Sequence, residues 1–163
     1  MFLSTILLNF YGLMHSAGDE ISSGQDGILT TTISTSYVEI AQGLAFDSIT
    51  DTSDLAFKNP GILTSPSLLG IESADEDSIK DFNDFDDFNY FTVDKEAGNT
   101  GRTYRTSFRV WYVDPANVAN VSSTRTFLKR LDLKTWRVFP PAMSSSPIDT
   151  LRMSVVMGYF HFD

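Results

Sequence analysis

The chain opens on fourteen residues, MFLSTILLNFYGLM, that are mostly apolar and carry no charge. A polar zone follows, HSAGDEISSGQDG, in which Gly18, Gly24 and Gly27 each weaken a helix by roughly 1 kcal/mol relative to alanine. Leu29, Ile33, Tyr37, Ile40 and Leu44 then recur at intervals of four, four, three and four, the spacing of one helical face. The embedded TTTISTS is rich in β-branched and hydroxyl side chains and would also suit a strand. Because the spacing persists to Leu44 and no alternation competes with it, the pattern predicts a long helix over about residues 1–46. At 1.5 Å per residue that helix would be roughly 70 Å long, more than a domain of this size can cover. Its apolar end, residues 1–14, would need a membrane or other copies of the chain.

Residues 47–69 read as loop, through DSITDTSDL, Pro60-Gly61 and TSPS. ESADEDSIKD is an acidic connector into FNDFDDFNYF, so an acidic loop spans 72–96. After the turn-rich EAGNTG the period becomes two. Tyr104, Thr106, Phe108, Val110 and Tyr112 share one face, with Arg105, Ser107 and Arg109 opposite. Asp114-Pro115 closes this strand. Residues 127–138 form a second strand, whose Lys129, Arg130, Lys134 and Arg137 supply a charged side. Beyond Pro140-Pro141 and SSSPID, the run TLRMSVVMGYFHF forms a third. Strands with one polar face suit an antiparallel sheet lying on a helix. The expected fold is therefore α+β: helix 1–46, then a globular unit 47–163 carrying the acidic loop 72–96 and an antiparallel sheet over 102–163.

Length and composition refine this picture. With 163 residues, 42% hydrophobic and 13% aromatic, the chain supports one folded domain with a real core. It contains no cysteine, which excludes disulfides, a cysteine zinc site and a thiol nucleophile. The net charge of −9 is unevenly spread: residues 1–96 hold 17 acids and 3 bases, residues 97–163 hold 4 acids and 9 bases. Nucleic acid is not an expected partner, because phosphate binding needs a dominant basic face. The asymmetry fits either a dipolar subunit that meets its neighbours charge to charge or pairing within one fold. A secretory signal would begin with Lys or Arg, whereas no basic residue precedes Lys58. The apolar opening is also shorter than the roughly 20 residues of a bilayer span.

Catalytic chemistry finds little support. The two histidines, His15 and His161, have no nucleophile or acid placed beside them by the pattern, and no glycine-rich phosphate loop follows a strand. Arg105, Arg109, Trp111 and Tyr112 resemble a basic-aromatic platform, although alternating arginines on a solvent face are commoner. FNDFDDFNYF, residues 82–91, offers the hard oxygens that calcium prefers, with Asp84, Asp86 and Asp87 the best candidates. The EF-hand order of ligands and glycine is absent. The competing expectation is that Phe82, Phe85, Phe88 and Phe91, three residues apart, pack inward while the acids stay solvated and cap local turns.

Three stretches together resemble the type IV pilin and pseudopilin superfamily, particularly its minor-pilin-like members. TTTISTSYVEIAQGLAFDSIT resembles the helix exit of such proteins. FNDFDDFNYF resembles their FDD-x-DDYNGY segment, with Phe88 for Tyr and Tyr90 where Gly would stand. FLKRLDLKTW resembles a later strand with a Lys-Arg pair. Family members usually carry a glutamate at the fifth mature position, where Thr5 stands if Met1 is the mature start. The resemblance implies a non-catalytic structural subunit of a type IV pilus-like filament. Such a subunit sits in the inner membrane before assembly and among copies of itself in a helical filament at the cell surface afterwards. It implies an assembly interface of Met1, Phe2, Leu3, Ile6, Leu7, Leu8, Phe10, Tyr11, Leu13 and Met14. The uneven charge separately nominates Lys129 and Arg130 as inter-subunit charge contacts, and calcium at the acidic run is the one cofactor that the residues suggest. The alternative is a membrane-anchored pilin-like binding module that does not polymerise.

Overall fold

A computed structural model describes residues 2–51, 59–141 and 150–159, with the backbone alone for 2–10 and 51. The fold is α+β. A helix α1, Phe2–Gln42, and a short turn of helix α2, Ser48–Asp51, precede five strands among the described residues. These are β1 Thr92–Glu96, β2 Thr103–Asp114, β3 Asn117–Val121, β4 Leu128–Phe139 and β5 Leu151–Gly158. All pairings are antiparallel, in the order β1-β2-β4-β5, and β3 joins the far end of β2 as a hairpin.

α1 is 41 residues long, about 60 Å. It ends four residues earlier than the periodicity predicts, where the last turn tightens: Gly43 N–H reaches the Ile40 carbonyl at 3.0 Å and Leu44 N–H that of Ala41 at 3.3 Å. The hydroxyl-rich stretch is helical after all. Thr30, Thr31 and Thr32 each donate to the carbonyl four residues back, and Ser36 to that of Ile33, so these side chains satisfy themselves along the helix. The covered face comprises Asp26, Thr30, Ile33, Ser34, Tyr37 and Ala41, all buried. Ile40, expected on that face, is 42% exposed, since the stripe is centred one residue away on Tyr37 and Ala41.

This face lies on β4 and β5. Tyr37 meets Phe108 edge to face at 5.4 Å, and Phe108 meets Phe88 at 5.1 Å. A buried chain of hydroxyls crosses the layer: Ser34 to Thr135 at 2.8 Å, and Thr135 to Thr106 at 3.0 Å. Farther toward the helix N-terminus, Asp26 accepts from Arg102 (2.8 Å) and Tyr104 (2.5 Å) and pairs with Arg137 at 2.8 Å. Arg102 also reaches the Ser22 hydroxyl, 3.1 Å away. N-terminal to Ser22, residues 11–21 are exposed.

β2 alternates as predicted, with Tyr104, Thr106, Phe108, Val110 and Tyr112 buried. β4 corrects the expected charged side. Lys129, Leu131, Leu133 and Thr135 share the buried face and Arg137 extends it toward Asp26, whereas Arg130 and Lys134 lie on the other face. β1 and β3 were not expected. Only one residue of β1 is half-buried and none of β3, so neither leaves a hydrophobic pattern. Turn chemistry makes them: Gly98 and Gly101 at φ 53° and 67° precede β2, and the Asp114 side chain caps the turn into β3 through Ala116 N–H at 2.8 Å. The last residues of the predicted third strand, 160–162, and the SSSPID connection lie outside the described residues.

Tyr90 adopts φ 64°, the left-handed conformation that favours glycine, at the position where the resemblance expects glycine. Its ring carries the Arg109 guanidinium 3.5 Å above it. Tyr90→Gly and Tyr90→Ala both lose that stacking, so their difference isolates the backbone. The glycine variant is expected to be the more stable by about 1 kcal/mol in urea unfolding. Equal midpoints would mean that the position carries no strain.

Candidate functional site

FNDFDDFNYF forms a compact knot wedged between the exit of α1 and the sheet. Ala45 pairs with Asp84 in a single parallel bridge, and its carbonyl accepts from Phe85 N–H at 2.9 Å. Asp84 then caps a short tight turn, Phe85–Phe88. Its Oδ1 accepts from Asp86 N–H at 2.8 Å, while Asp87 Oδ2 reaches back to Asn83 N–H (2.9 Å) and Asp84 N–H (3.1 Å). Asn89 donates to Leu69 carbonyl at 2.9 Å and accepts from Val110 N–H at 3.0 Å, fastening the knot to β2.

The phenylalanines behave as the spacing predicts. Phe82, Phe85 and Phe88 are buried and Phe91 half-buried, with Phe82 edge to face against both Phe88 and Phe91 at 5.0 Å. The acids do not stay solvated. Asp84, Asp86 and Asp87 are each fully buried, because the tight turn is covered on all sides and has no solvent face for them.

Asp86 and Asp47 share one counter-ion, Lys129. Its ammonium donates to Asp86 Oδ1, to Asp47 Oδ2 at 3.0 Å and to the Phe46 carbonyl at 2.7 Å, and all three charged side chains are fully buried. The Phe46 and Tyr112 rings flank it, centred 4.7 and 5.5 Å from the nitrogen. Asp47 also accepts from Thr64 N–H and the Thr64 hydroxyl, at 3.0 and 3.1 Å. Tyr112 donates to the Thr64 carbonyl at 2.8 Å, and burial followed by the charge of Asp47 pushes its phenol up. Helix exit, connector, acidic knot and β4 therefore converge on a single ammonium.

This corrects the expectation of Lys129 as an inter-subunit contact. Lys129 is inside the subunit, since it shares the inward parity of Leu131 and Leu133. Arg130 is used within the subunit as well, pairing with Asp132 at 3.0 Å and donating to the carbonyls of Val118 and Ala119 at 2.9 Å. The ion pairs Asp26–Arg102, Asp26–Arg137 and Asp94–Arg105 likewise join the acidic half of the chain to its basic half. Among the described residues, four of the nine bases of residues 97–163 are thus paired inside the fold with acids of residues 1–96.

The remaining acids of the knot meet Glu72. One carboxylate oxygen from each of Glu72, Asp84 and Asp87 lies within 4.8 Å of the other two. Burial, then the charge of Asp86, pushes Asp84 up to about 8 against the opposing pull of Lys129. Glu72 is raised to about 7, first by desolvation of its carboxyl end and then by Asp86 and Asp87, although the residue as a whole is exposed. Asp87 is also raised, by burial. Of the three calcium candidates the fold brings Asp84 and Asp87 together, adds Glu72, and diverts Asp86 to Lys129.

The expected assembly residues fall at the N-terminal end of the chain, most of them within α1. Met1 is outside the described residues, and Phe2, Leu3, Ile6, Leu7, Leu8 and Phe10 are described as helical backbone only. Tyr11, Leu13 and Met14 are 73, 70 and 64% exposed. A feature that the sequence reading missed continues from them: Met14, Ala17, Ile21, Gly24 and Ile28 recur at intervals of three and four and are all exposed. Leu3, Leu7 and Phe10 continue the same spacing toward the N-terminus. This 3.5-residue repeat is the seam period of packed helices, with small residues at alternate positions. Among the described residues no helix is long and apolar enough to cross a membrane. Comparison with protein-family models, with curated proteins and with solved structures finds no match.

Proposed function

We propose that the chain is a non-catalytic structural subunit of a type IV pilus-like filament at the cell surface, assembled from copies of itself through α1. The observation that carries this reading is the bare apolar seam on a helix that outreaches its own domain. Ile21 and Ile28 are 64 and 69% exposed, on the side away from Asp26, Thr30 and Ile33. An apolar stripe that long in water favours a partner, and the pattern of large and small residues suits another helix of the same kind. The sheet domain would then face solvent. Before assembly the apolar end, residues 1–14, would rest in the inner membrane.

The test uses the full chain in its producing cells. Material sheared from the surface should contain filaments of this protein by electron microscopy, with its N-terminus read by mass spectrometry. Met14→Glu combined with Ile21→Glu is expected to abolish the filaments while leaving the melting temperature of the subunit within about 2 °C, because both side chains are exposed. Undiminished filament yield would rule out the seam. Retention in the membrane fraction with no filament from the unaltered chain would favour the anchored-module alternative.

A further inference from the structure

The carboxylates around the acidic knot outnumber their counter-ions. Asp47, Glu76, Asp84, Asp86 and Asp87 are buried, and Glu72 turns its carboxyl end onto them. Among the described residues, Lys129 is the one cationic side chain hydrogen-bonded to any of the six. Asp47 and Asp86 take that ammonium, and Glu76 is occupied by Asn83 at 2.6 Å and by the N–H groups of Glu72 and Ser73, both at 3.2 Å. Among the described residues, Glu72, Asp84 and Asp87 hydrogen-bond to no cationic side chain, and Lys129 acts on Asp84 only at longer range.

Two of these three also carry an oxygen with nothing to bond. Asp84 and Asp87 are fully buried, and among the described residues Asp84 Oδ2 and Asp87 Oδ1, like Asp86 Oδ2 beside them in the sequence, have no hydrogen-bond donor. Their other oxygens are committed to backbone N–H groups of the knot, which fix both carboxylates in place. A buried, unpaired carboxylate oxygen is costly, and a bound ion is one of the few things that satisfies it. Oxygens that share one calcium at 2.3–2.6 Å can be no farther apart than roughly 5 Å, and the three carboxylates meet within 4.8 Å.

We propose that Glu72, Asp84 and Asp87 bind a divalent cation of the calcium type. Three carboxylates with no nitrogen or sulfur donor select a hard ion, and their number suits calcium better than magnesium, which keeps most of its water. Remaining coordination positions are open to water on the exposed Glu72 side. The ion would tie the connector bearing Glu72 to the knot and so to the sheet, and this role is independent of whether the subunit polymerises.

Full-length protein treated with a chelator and then titrated with calcium chloride by calorimetry tests the proposal, with melting temperature followed in parallel. One calcium per chain is expected, with a melting temperature that climbs with calcium concentration and responds much less to magnesium. Glu72→Gln, an exposed position that should leave the fold intact, is expected to weaken binding by about tenfold or more. Asp75→Asn, an exposed acid outside the cluster, should leave it unchanged. Asp84→Asn should abolish binding if it folds. No calcium-dependent heat or melting shift up to millimolar concentrations would overturn the site. So would binding that Glu72→Gln leaves as tight as in the unaltered chain.

Discussion

Lys129→Met is expected to lower the unfolding free energy by about 3–5 kcal/mol, a large share of the total stability of a domain this size. Methionine fills nearly the same space but leaves Asp47 and Asp86 buried together without their shared ammonium. The loss is therefore electrostatic more than steric. Adding Asp86→Asn to Lys129→Met should recover part of it by removing one uncompensated charge, whereas a pure packing defect would not respond. Urea unfolding in chelator-containing buffer reads both variants. A loss below about 1 kcal/mol for Lys129→Met would mean that water reaches the ammonium and that it does not bind the four segments together. For the same reason, charge reversal at Lys129 would disrupt the subunit itself and is no probe of contacts between subunits.

The second large effect is expected at Asp26. Asp26→Ala removes the one acceptor shared by Arg102, Arg137 and Tyr104, and strands two arginines whose side chains are only 16 and 20% exposed. A loss of about 2 kcal/mol is expected, less than at Lys129 because the guanidinium groups keep some access to water. The effect should also be local. Asp26 is the outermost strong tie between α1 and the sheet, so amide exchange around residues 22–30 should accelerate more than exchange at Tyr37 or Ala41. Unchanged protection in that stretch would show that the hydroxyl chain through Ser34 and Thr135 suffices to dock the helix.

Much of the architecture was readable from spacing. Steps of three and four carried α1 through a hydroxyl-rich stretch of low propensity, because the register of apolar residues outweighs propensity when one face is to be buried. Alternation located β2 and β4 to within a residue or two. It also held the clue to Lys129, which falls in phase with Leu131 and Leu133; reading its charge as an outward signal set aside the period of two. The seam from Met14 to Ile28 was likewise present in the sequence, but the glycines and the Asp19-Glu20 pair masked it as a polar zone.

What the sequence determined alone is therefore what depends on neighbours along the chain. That includes the helix and its apolar end, the inward phenylalanines of the knot, the phase of the long strands and the glycine-bearing turn before β2. Tertiary structure decided where the charges go. Whether Asp84, Asp86 and Asp87 face water or one another depends on what covers a four-residue turn, and that cover comes from the helix exit, the connector and a strand more than 40 residues away. Desolvation and Coulomb terms are set by all of these at once, so an acidic run that reads as a solvated loop becomes a buried cluster in which one member is paired to lysine and two stand with Glu72 as a candidate cation site.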